Sequence, residues 1–524
     1  MPRRRSASGP ALWAAAAVLL GLAIAVRNLT DLSNVPPGLY IDESSIAYNA
    51  WTIAHYGVDE HGVHFPLFFQ AFGEYKNPLY VYALVPFARF LGVTSDVERL
   101  PAAMFGLIAV VFLALAAWRV TGSRPIAFFV LALVALTPWL VQESRVGFEV
   151  VSMLATLSVA LWCLSDERHL TPRRFILAGL FFALSIFAYS TGRFEILLFA
   201  VAFAFVYRNG GFRGWWSTLA VVAAGYVVLG VWALLHPGAL TGEFSVISIG
   251  ADGAPLPTVI GRFLSNYVSY FSPDFLFIHG DPNPRHNTGF AGMLLAVSAP
   301  LLLLGLYGCW LRRREALPRF VVLCIVLAPV AASLTNGFGA PHALRSAVML
   351  PLLVILAVFG LDVIRDVLRR HRLVAAALLA ALLVQGALYT LDMYTAYPQR
   401  AALAFDTGVP QAISAAARAA AGHTVYLSST FEQPYIQAFF ARLPTPPAHP
   451  VADDAGPGLR RLGMVVLDPV SAEQRASSGD LLVVAAGDPR PGGRFTVVDV
   501  QLAPTNPMAP NVPAAPLVYV YRAV

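Results

Sequence analysis

Lysine is almost missing from this chain. Lys76 is the single one among 36 lysines and arginines, so position 76 alone can supply a compact ammonium in place of a planar guanidinium. Cysteine is scarce as well. Cys163, Cys309 and Cys324 all fall in apolar stretches and no CxxC spacing occurs, which excludes a disulfide framework in the polar segments. Charge is thin, at 13% of residues, and it gathers at the ends of the apolar runs. A proton- or sodium-driven transporter would place ionisable groups within them. No P-loop, no GxGxxG after a strand and no GxSxG is present, which leaves out those nucleotide-binding and serine-hydrolase signatures.

What the chain has in abundance is apolar sequence. Hydrophobic residues make up 57% of its 524 positions and the mean hydropathy is +0.64, too apolar for a water-soluble globule. A spanning helix needs about 20 mostly apolar residues. Eleven such helices are expected, near 11–26, 99–118, 125–142, 148–164, 174–191, 194–207, 216–235, 291–311, 320–335, 344–364 and 373–393. Arginines cluster in alternate short loops: Arg3-Arg4-Arg5, Arg119 with Arg124, Arg168 with Arg173 and Arg174, Arg208 with Arg213, Arg312-Arg313-Arg314 with Arg319, and Arg365 with Arg369, Arg370 and Arg372. Short cytoplasmic loops concentrate positive charge. The N-terminus is therefore expected inside, with the long loops 27–98 and 236–290 outside. An odd number of spans leaves 394–524 outside too. Cleavage at Ala23-Ile24-Ala25 as a secretory signal is the other reading of the start, and it also leaves 27–98 outside. The net charge of +6 reports topology, so the bilayer, not nucleic acid, is the expected partner.

From about residue 394 the pattern changes. β-rich runs at 424–428, 463–467, 481–485, 495–500 and 517–521 follow a helical stretch at 409–420, separated by Gly and Pro clusters. Pro/Ala-rich pieces lie at 443–450 and 503–516. The expected fold is an α-helical polytopic membrane module over 1–393 with a small extracytoplasmic α/β domain over 394–524.

The long first loop holds the residues of most chemical interest. Asp42-Glu43 opens a helix expected over 43–56, and a second helix is expected over 77–91, both amphipathic and lying in the membrane interface. An acid pair at a helix start caps it or acts as a general base, and capping would itself fix the carboxylate. Lys76, in Gly73-Glu74-Tyr75-Lys76-Asn77-Pro78, is a headgroup-facing charge or a point-charge phosphate binder, with Glu74 as its expected partner. The second loop packs His279, Asp281, Arg285 and His286 into eight positions. Such a set shapes a cavity, or binds a phosphate or a divalent metal. The spacing matches no standard metal motif, so a divalent metal stays an open option and no other cofactor is expected. His342 and Arg345 begin the tenth span, as headgroup anchors or phosphate binders. Arg145 with Glu149, and Arg193 with Glu195, are expected to pair as structural ions at the outer cavity.

Taken together, Asp42-Glu43 after the first span, Tyr48 in the next helix, the Lys76-Asn77-Pro78-Leu79 element and Arg99-Leu100-Pro101 opening the second span resemble the polytopic GT-C glycosyltransferases. The resemblance is to the family that groups protein O-mannosyltransferases with aminoarabinose transferases acting on lipid A, and to a bacterial subgroup of it. It covers about residues 10–390 in architecture, with specific motifs only in the first hundred. It implies inverting transfer of a sugar from a polyprenyl-phosphate donor to a lipid, glycan or protein acceptor on the outer face of a bacterial cytoplasmic membrane. Asp42, with Glu43 beside it, matches the position of the catalytic carboxylate. Lys76 matches a basic residue near the donor phosphate, and we expect Arg345 and His342 to join it. Tyr48, Glu74, Tyr75, Arg145, Arg193, His279, Asp281, Arg285 and His286 are expected around the substrate cavity. The chain departs from the family's Glu-Lys-Pro at Glu74-Tyr75-Lys76-Asn77-Pro78, which weakens any carry-over of Glu74 as a metal ligand. Two rival readings make no bond: a lipid-linked glycan transporter or flippase, and a non-catalytic envelope-assembly scaffold.

Overall fold

The computed structural model describes residues 8–208, 210–337, 339–442 and 459–524. Arg3-Arg4-Arg5 and the Pro/Ala-rich 443–450 lie outside the described residues. The chain is mostly helical, and each apolar stretch contains a helix. Among the described residues, four helices are long and apolar enough to cross a membrane: Ser95–Thr121, Trp216–Leu235, Ala316–Ser333 and Arg372–Thr395. The last of these buries little of its surface, with Leu373 86% exposed. Apolar faces this bare need lipid around them, and the chain is a multi-pass membrane protein. Where the bundle does close, it closes tightly. Helices Ser298–Leu311 and Met349–Val363 cross at Gly305 and Gly360, where an added Cβ would stand 2.2 Å from the Leu356 carbonyl oxygen and 2.1 Å from that of Leu301. Small residues at such a crossing let backbones touch.

Several boundaries differ from the sequence reading. The stretch 125–142 divides into Arg124–Leu136 and Pro138–Glu143, because Pro138 supplies no amide and biases Thr137 toward extended backbone. Stretches 291–311 and 344–364 turn helical only at Ser298 and Met349. The second long loop forms helices Gly242–Ile247 and Leu256–Ser269 and a π-helical turn over Asp274–Ile278. The second of these exposes Leu256, Ile260, Leu264 and Val268, an apolar row at four-residue spacing.

The first long loop is built around helix Ile41–Tyr56 and helix Pro78–Leu91. The first was expected to float in the interface, and it does not. Twelve of its residues are buried, because helix Pro78–Leu91 covers one side and helix Pro434–Ala441 of the C-terminal segment covers another. Tyr48 stacks on Phe439 with ring centroids 5.0 Å apart, and Ser44 Oγ donates to Gln437 Oε1 at 2.9 Å. Between the two helices a hairpin pairs β1 (Phe69–Ala71) with β2 (Glu74–Lys76), register Phe69 to Lys76. Its turn places Phe72 and Gly73 at φ of 54° and 82°, the left-handed pair that tight hairpins favour.

The C-terminal segment folds as a five-stranded sheet. In chain order the strands are β3 (Val425–Ser428), β4 (Met464–Leu467), β5 (Leu481–Ala485), β6 (Phe495–Leu502) and β7 (Pro516–Ala523), arranged β4-β3-β5-β7-β6. β3 runs parallel to β4 and β5, while β7 is antiparallel to β5 and β6. Helix Val409–Ala419 packs Ile413 and Ala416 on Val425, Leu481 and Val518, so this layer has a core of its own.

Candidate active site

Asp42 and Glu43 are neighbours in the first turn of helix Ile41–Tyr56, about 100° apart around its axis. Their carboxylates point to different environments. Glu43 turns inward. Its Oε1 accepts from Arg99 Nε at 2.7 Å and from the Gly147 amide at 2.8 Å, and its Oε2 accepts from Arg99 Nη2 at 2.8 Å. Arg99 donates further to the carbonyls of Leu32, Pro36 and Gly38, and both side chains are fully buried. This corrects the expectation that Glu43 shares the chemistry. It ties the first loop to the start of helix Ser95–Thr121.

Asp42 stays partly exposed instead and pairs with Lys76, at 21% side-chain exposure against 2% for the lysine. Lys76 also reaches Glu74 Oε1 at 3.4 Å and lies over the Phe72 ring, 5.0 Å from its centroid. Burial alone would lower the ammonium, yet the carboxylates of Asp42, Glu74 and Glu149 outweigh it and hold Lys76 above its ordinary value, so it stays charged. The next residue extends the network. The Asn77 amide donates to Glu149, its Nδ2 reaches Ser190 Oγ at 3.3 Å, and its Oδ1 accepts from Arg193 Nη2 at 2.7 Å. Tyr75 sets its ring edge-on to Trp232 at 5.1 Å.

Glu243, from the second long loop, stands beside Glu74. It is an exposed residue of helix Gly242–Ile247, and partial desolvation, then the Glu74 carboxylate, push its carboxyl up to about 7 against the pull of Arg345 and Lys76. Arg345 is buried, donating Nη1 to Thr335 Oγ1 at 3.0 Å and to the Gly337 carbonyl at 2.8 Å. These contacts gather Asp42, Glu74, Glu149 and Glu243 with the cations Lys76, Arg193 and Arg345 into one charged cluster. Such an arrangement can grip an anion at the cationic side and take a proton at Asp42.

Other expected residues fall elsewhere. Arg145 does not pair with Glu149. It is buried and donates to the carbonyls of Val35, Arg27, Thr30 and Asp31, holding the chain that leads into the first loop. Nor does Arg193 pair with Glu195, whose Oε2 accepts from Thr191 Oγ1 at 3.2 Å. Tyr48 is buried and packed on Phe439. The 279–286 segment does not converge on one cavity: His279 is exposed and bonded to Asp274, Arg285 lies over the Tyr40 ring at 4.6 Å and reaches Glu432 at 3.2 Å, and Asp281 and His286 turn inward to meet His342. The sequence reading missed Asn77, Ser190 and Glu243 as members of the cluster. Asn77 sits between Lys76 and Pro78 and was legible as part of that element, whereas nothing local marks Ser190 or Glu243.

No family model matches the chain, and no curated protein matches it in sequence. Among solved structures it is similar to ArnT from Cupriavidus metallidurans in the apo state, with a TM-score of 0.55 over 96% of this chain and 97% of that one at 14% identity. The same protein bound to undecaprenyl phosphate gives a TM-score of 0.54 at the same coverage and identity. The chain has the GT-C glycosyltransferase fold. At that identity the likeness is one of architecture. Within that fold, the Asp42–Lys76 cluster joins residues of the first long loop, the second long loop and the segment before helix Met349–Val363.

Proposed function

We propose that this chain is an inverting membrane glycosyltransferase that moves a sugar from a polyprenyl-phosphate carrier to a hydroxyl of a lipid, glycan or protein acceptor. The observation that carries the reading is the Asp42–Lys76 pair: a partly exposed carboxylate held on a buried ammonium, with Arg345 in the same charged cluster. The similar ArnT structure bound to undecaprenyl phosphate supports a carrier of that kind. The leaving group is a lipid phosphate, a stable anion that needs cations more than a proton. Lys76 and Arg345 supply them. As the donor phosphate takes the ammonium, Asp42 is released to accept the proton of the acceptor hydroxyl. The acceptor oxygen attacks the anomeric carbon from the face opposite the phosphate, and the carbon–oxygen bond to phosphate breaks with its electron pair leaving on the carrier. A positioned base of this kind contributes about 10²–10⁴ in rate. Glu43 has no part in the transfer; through Arg99 it fixes the turn that aims Asp42.

In the proposed topology the eleven helices cross the cytoplasmic membrane of a bacterium with the N-terminus inside. The cluster and the domain over 394–524 then face outward, and the domain closes over helix Ile41–Tyr56 from that side. A binding experiment tests the anion grip. Full-length protein in detergent is expected to retain undecaprenyl phosphate in native mass spectra, and Lys76→Met to lose it. Equal retention by the two would remove Lys76 from the phosphate site.

A further inference from the structure

We propose that Asp281, His286 and His342 hold a divalent transition-metal ion, of the zinc class, that staples the second long loop to the segment entering helix Met349–Val363. One ligand atom from each of the three lies within 4.8 Å of the others, and all three residues are more than nine-tenths buried. They come from two stretches of chain some sixty positions apart in sequence, which the fold brings together with the imidazole rings 4.6 Å centroid to centroid.

A hydrogen-bonded cluster is the simpler alternative, and it accounts for only part of the geometry. His286 Nδ1 meets Asp281 Oδ2 at 2.8 Å. The Ala343 amide donates to the same oxygen at 2.7 Å and the Asn283 amide to Oδ1 at 2.8 Å. These bonds hold the carboxylate in one orientation and still leave it lone pairs. His342 Nδ1 is different. It is buried with no hydrogen-bond partner, a state that costs about 1–3 kcal/mol for a polar atom away from water. A metal bound by that nitrogen would satisfy it. Nearby, Glu143 is buried with its Oε1 also unpartnered, and it stands within electrostatic range of Asp281. Its neighbour Gln142 holds the Arg285 carbonyl at 3.0 Å.

Ligand type narrows the ion. Two imidazoles with a carboxylate suit zinc and its first-row neighbours, whereas magnesium and calcium prefer oxygen alone. Zinc takes nitrogen and oxygen ligands at about 2.0–2.2 Å, so small side-chain rotations would draw the three atoms onto one ion. The inference is independent of the transferase reading, because none of the three residues touches Asp42 or Lys76 among the described contacts.

The test needs no activity. Full-length protein purified in detergent without added metal is analysed by inductively coupled plasma mass spectrometry, then stripped with a chelator and titrated with Zn²⁺ and Co²⁺ while melting is followed. We expect one transition-metal ion per chain, a fall in melting temperature on stripping that Zn²⁺ reverses, and visible ligand-field bands on Co²⁺ loading. The double variant His286→Ala/His342→Ala is expected to lose all three signals, and His342→Gln to weaken metal binding by more than the roughly 10–100-fold that loss of an outer-shell partner costs. Stripped wild-type protein keeps the test decisive where a variant fails to fold. Metal well below one per chain, with no response of its melting to Zn²⁺, would overturn the proposal.

Discussion

Replacing Glu43 by Gln removes one charge from a fully buried pair and leaves its shape. The Glu43 carboxylate accepts three contacts of 2.7–2.8 Å, two from Arg99 and one from Gly147. An amide in its place offers one acceptor oxygen and turns an NH₂ toward the guanidinium. Removing one partner of a buried ion pair costs about 3–5 kcal/mol, because the other charge stays behind uncompensated. Arg99 keeps the Leu32, Pro36 and Gly38 carbonyls, which moves the expected cost toward about 3 kcal/mol. At a few degrees per kcal/mol for large domains, that is a drop of about 5–10 °C in melting temperature. The assay is fluorescence-detected melting of full-length protein in detergent. The double variant Glu43→Gln/Arg99→Met removes both charges and should recover part of the loss, as apolar replacement of buried pairs does. Melting of Glu43→Gln within a degree of wild type would refute the assignment of Glu43 as a structural anchor.

Four other outcomes follow from the same geometry. Asp42→Asn should lower turnover about 10²–10⁴-fold with little change in melting, since Lys76 keeps Glu74; equal loss of stability would make Asp42 structural. Lys76→Arg should fail to restore donor binding, because the ammonium sits enclosed by Asp42, Glu74 and the Phe72 ring, where the larger planar group does not fit; a donor KM close to wild type contradicts this. Gly147→Ala should destabilise the fold, as its Cβ would stand 1.8–2.0 Å from the Glu98 carboxylate; a soluble variant with unchanged melting would show that Glu98 can move aside. Glu243 and Asp406 are both pushed up to about 7, Glu243 by desolvation and then Glu74, and Asp406 chiefly by burial. A raised carboxyl binds its proton more tightly folded than unfolded, so its stability contribution is full below about pH 4 and is lost as pH rises through about 7. Glu243→Gln/Asp406→Asn should flatten the melting profile across that window.

Much of the architecture was legible because the bilayer imposes its own period. Long apolar runs between arginine clusters located the helices, and alternation between turn residues located the five strands of the C-terminal sheet to within about two residues. What local sequence could not carry was mutual position. Helix Ile41–Tyr56 has enough polar residues to read as interfacial, and the helix at Pro434–Ala441, nearly four hundred positions away, is what takes the buried Ser44 hydroxyl, while Asn49 is taken by Glu60. The same holds for the ion pairs. Proximity in sequence favoured Arg145 with Glu149 and Arg193 with Glu195, but a buried arginine is best satisfied by several carbonyls at once, and Arg145 found four. Asp42 and Lys76 were marked by residue type, one acid at a helix start and the lone lysine. Glu243 carried no such mark, since its place beside Glu74 depends on how the second loop folds back.

Sugar transfer in membranes tests the central claim most directly. Membranes carrying the wild type, Asp42→Asn or no protein would be given a panel of radiolabelled polyprenyl-phosphate sugars, and labelled products separated from the carrier. A new labelled product is expected with at least one donor in the wild type, and about 10²–10⁴-fold less with Asp42→Asn at equal membrane insertion. Equal product from both proteins, or no product from any donor in the panel, would contradict it.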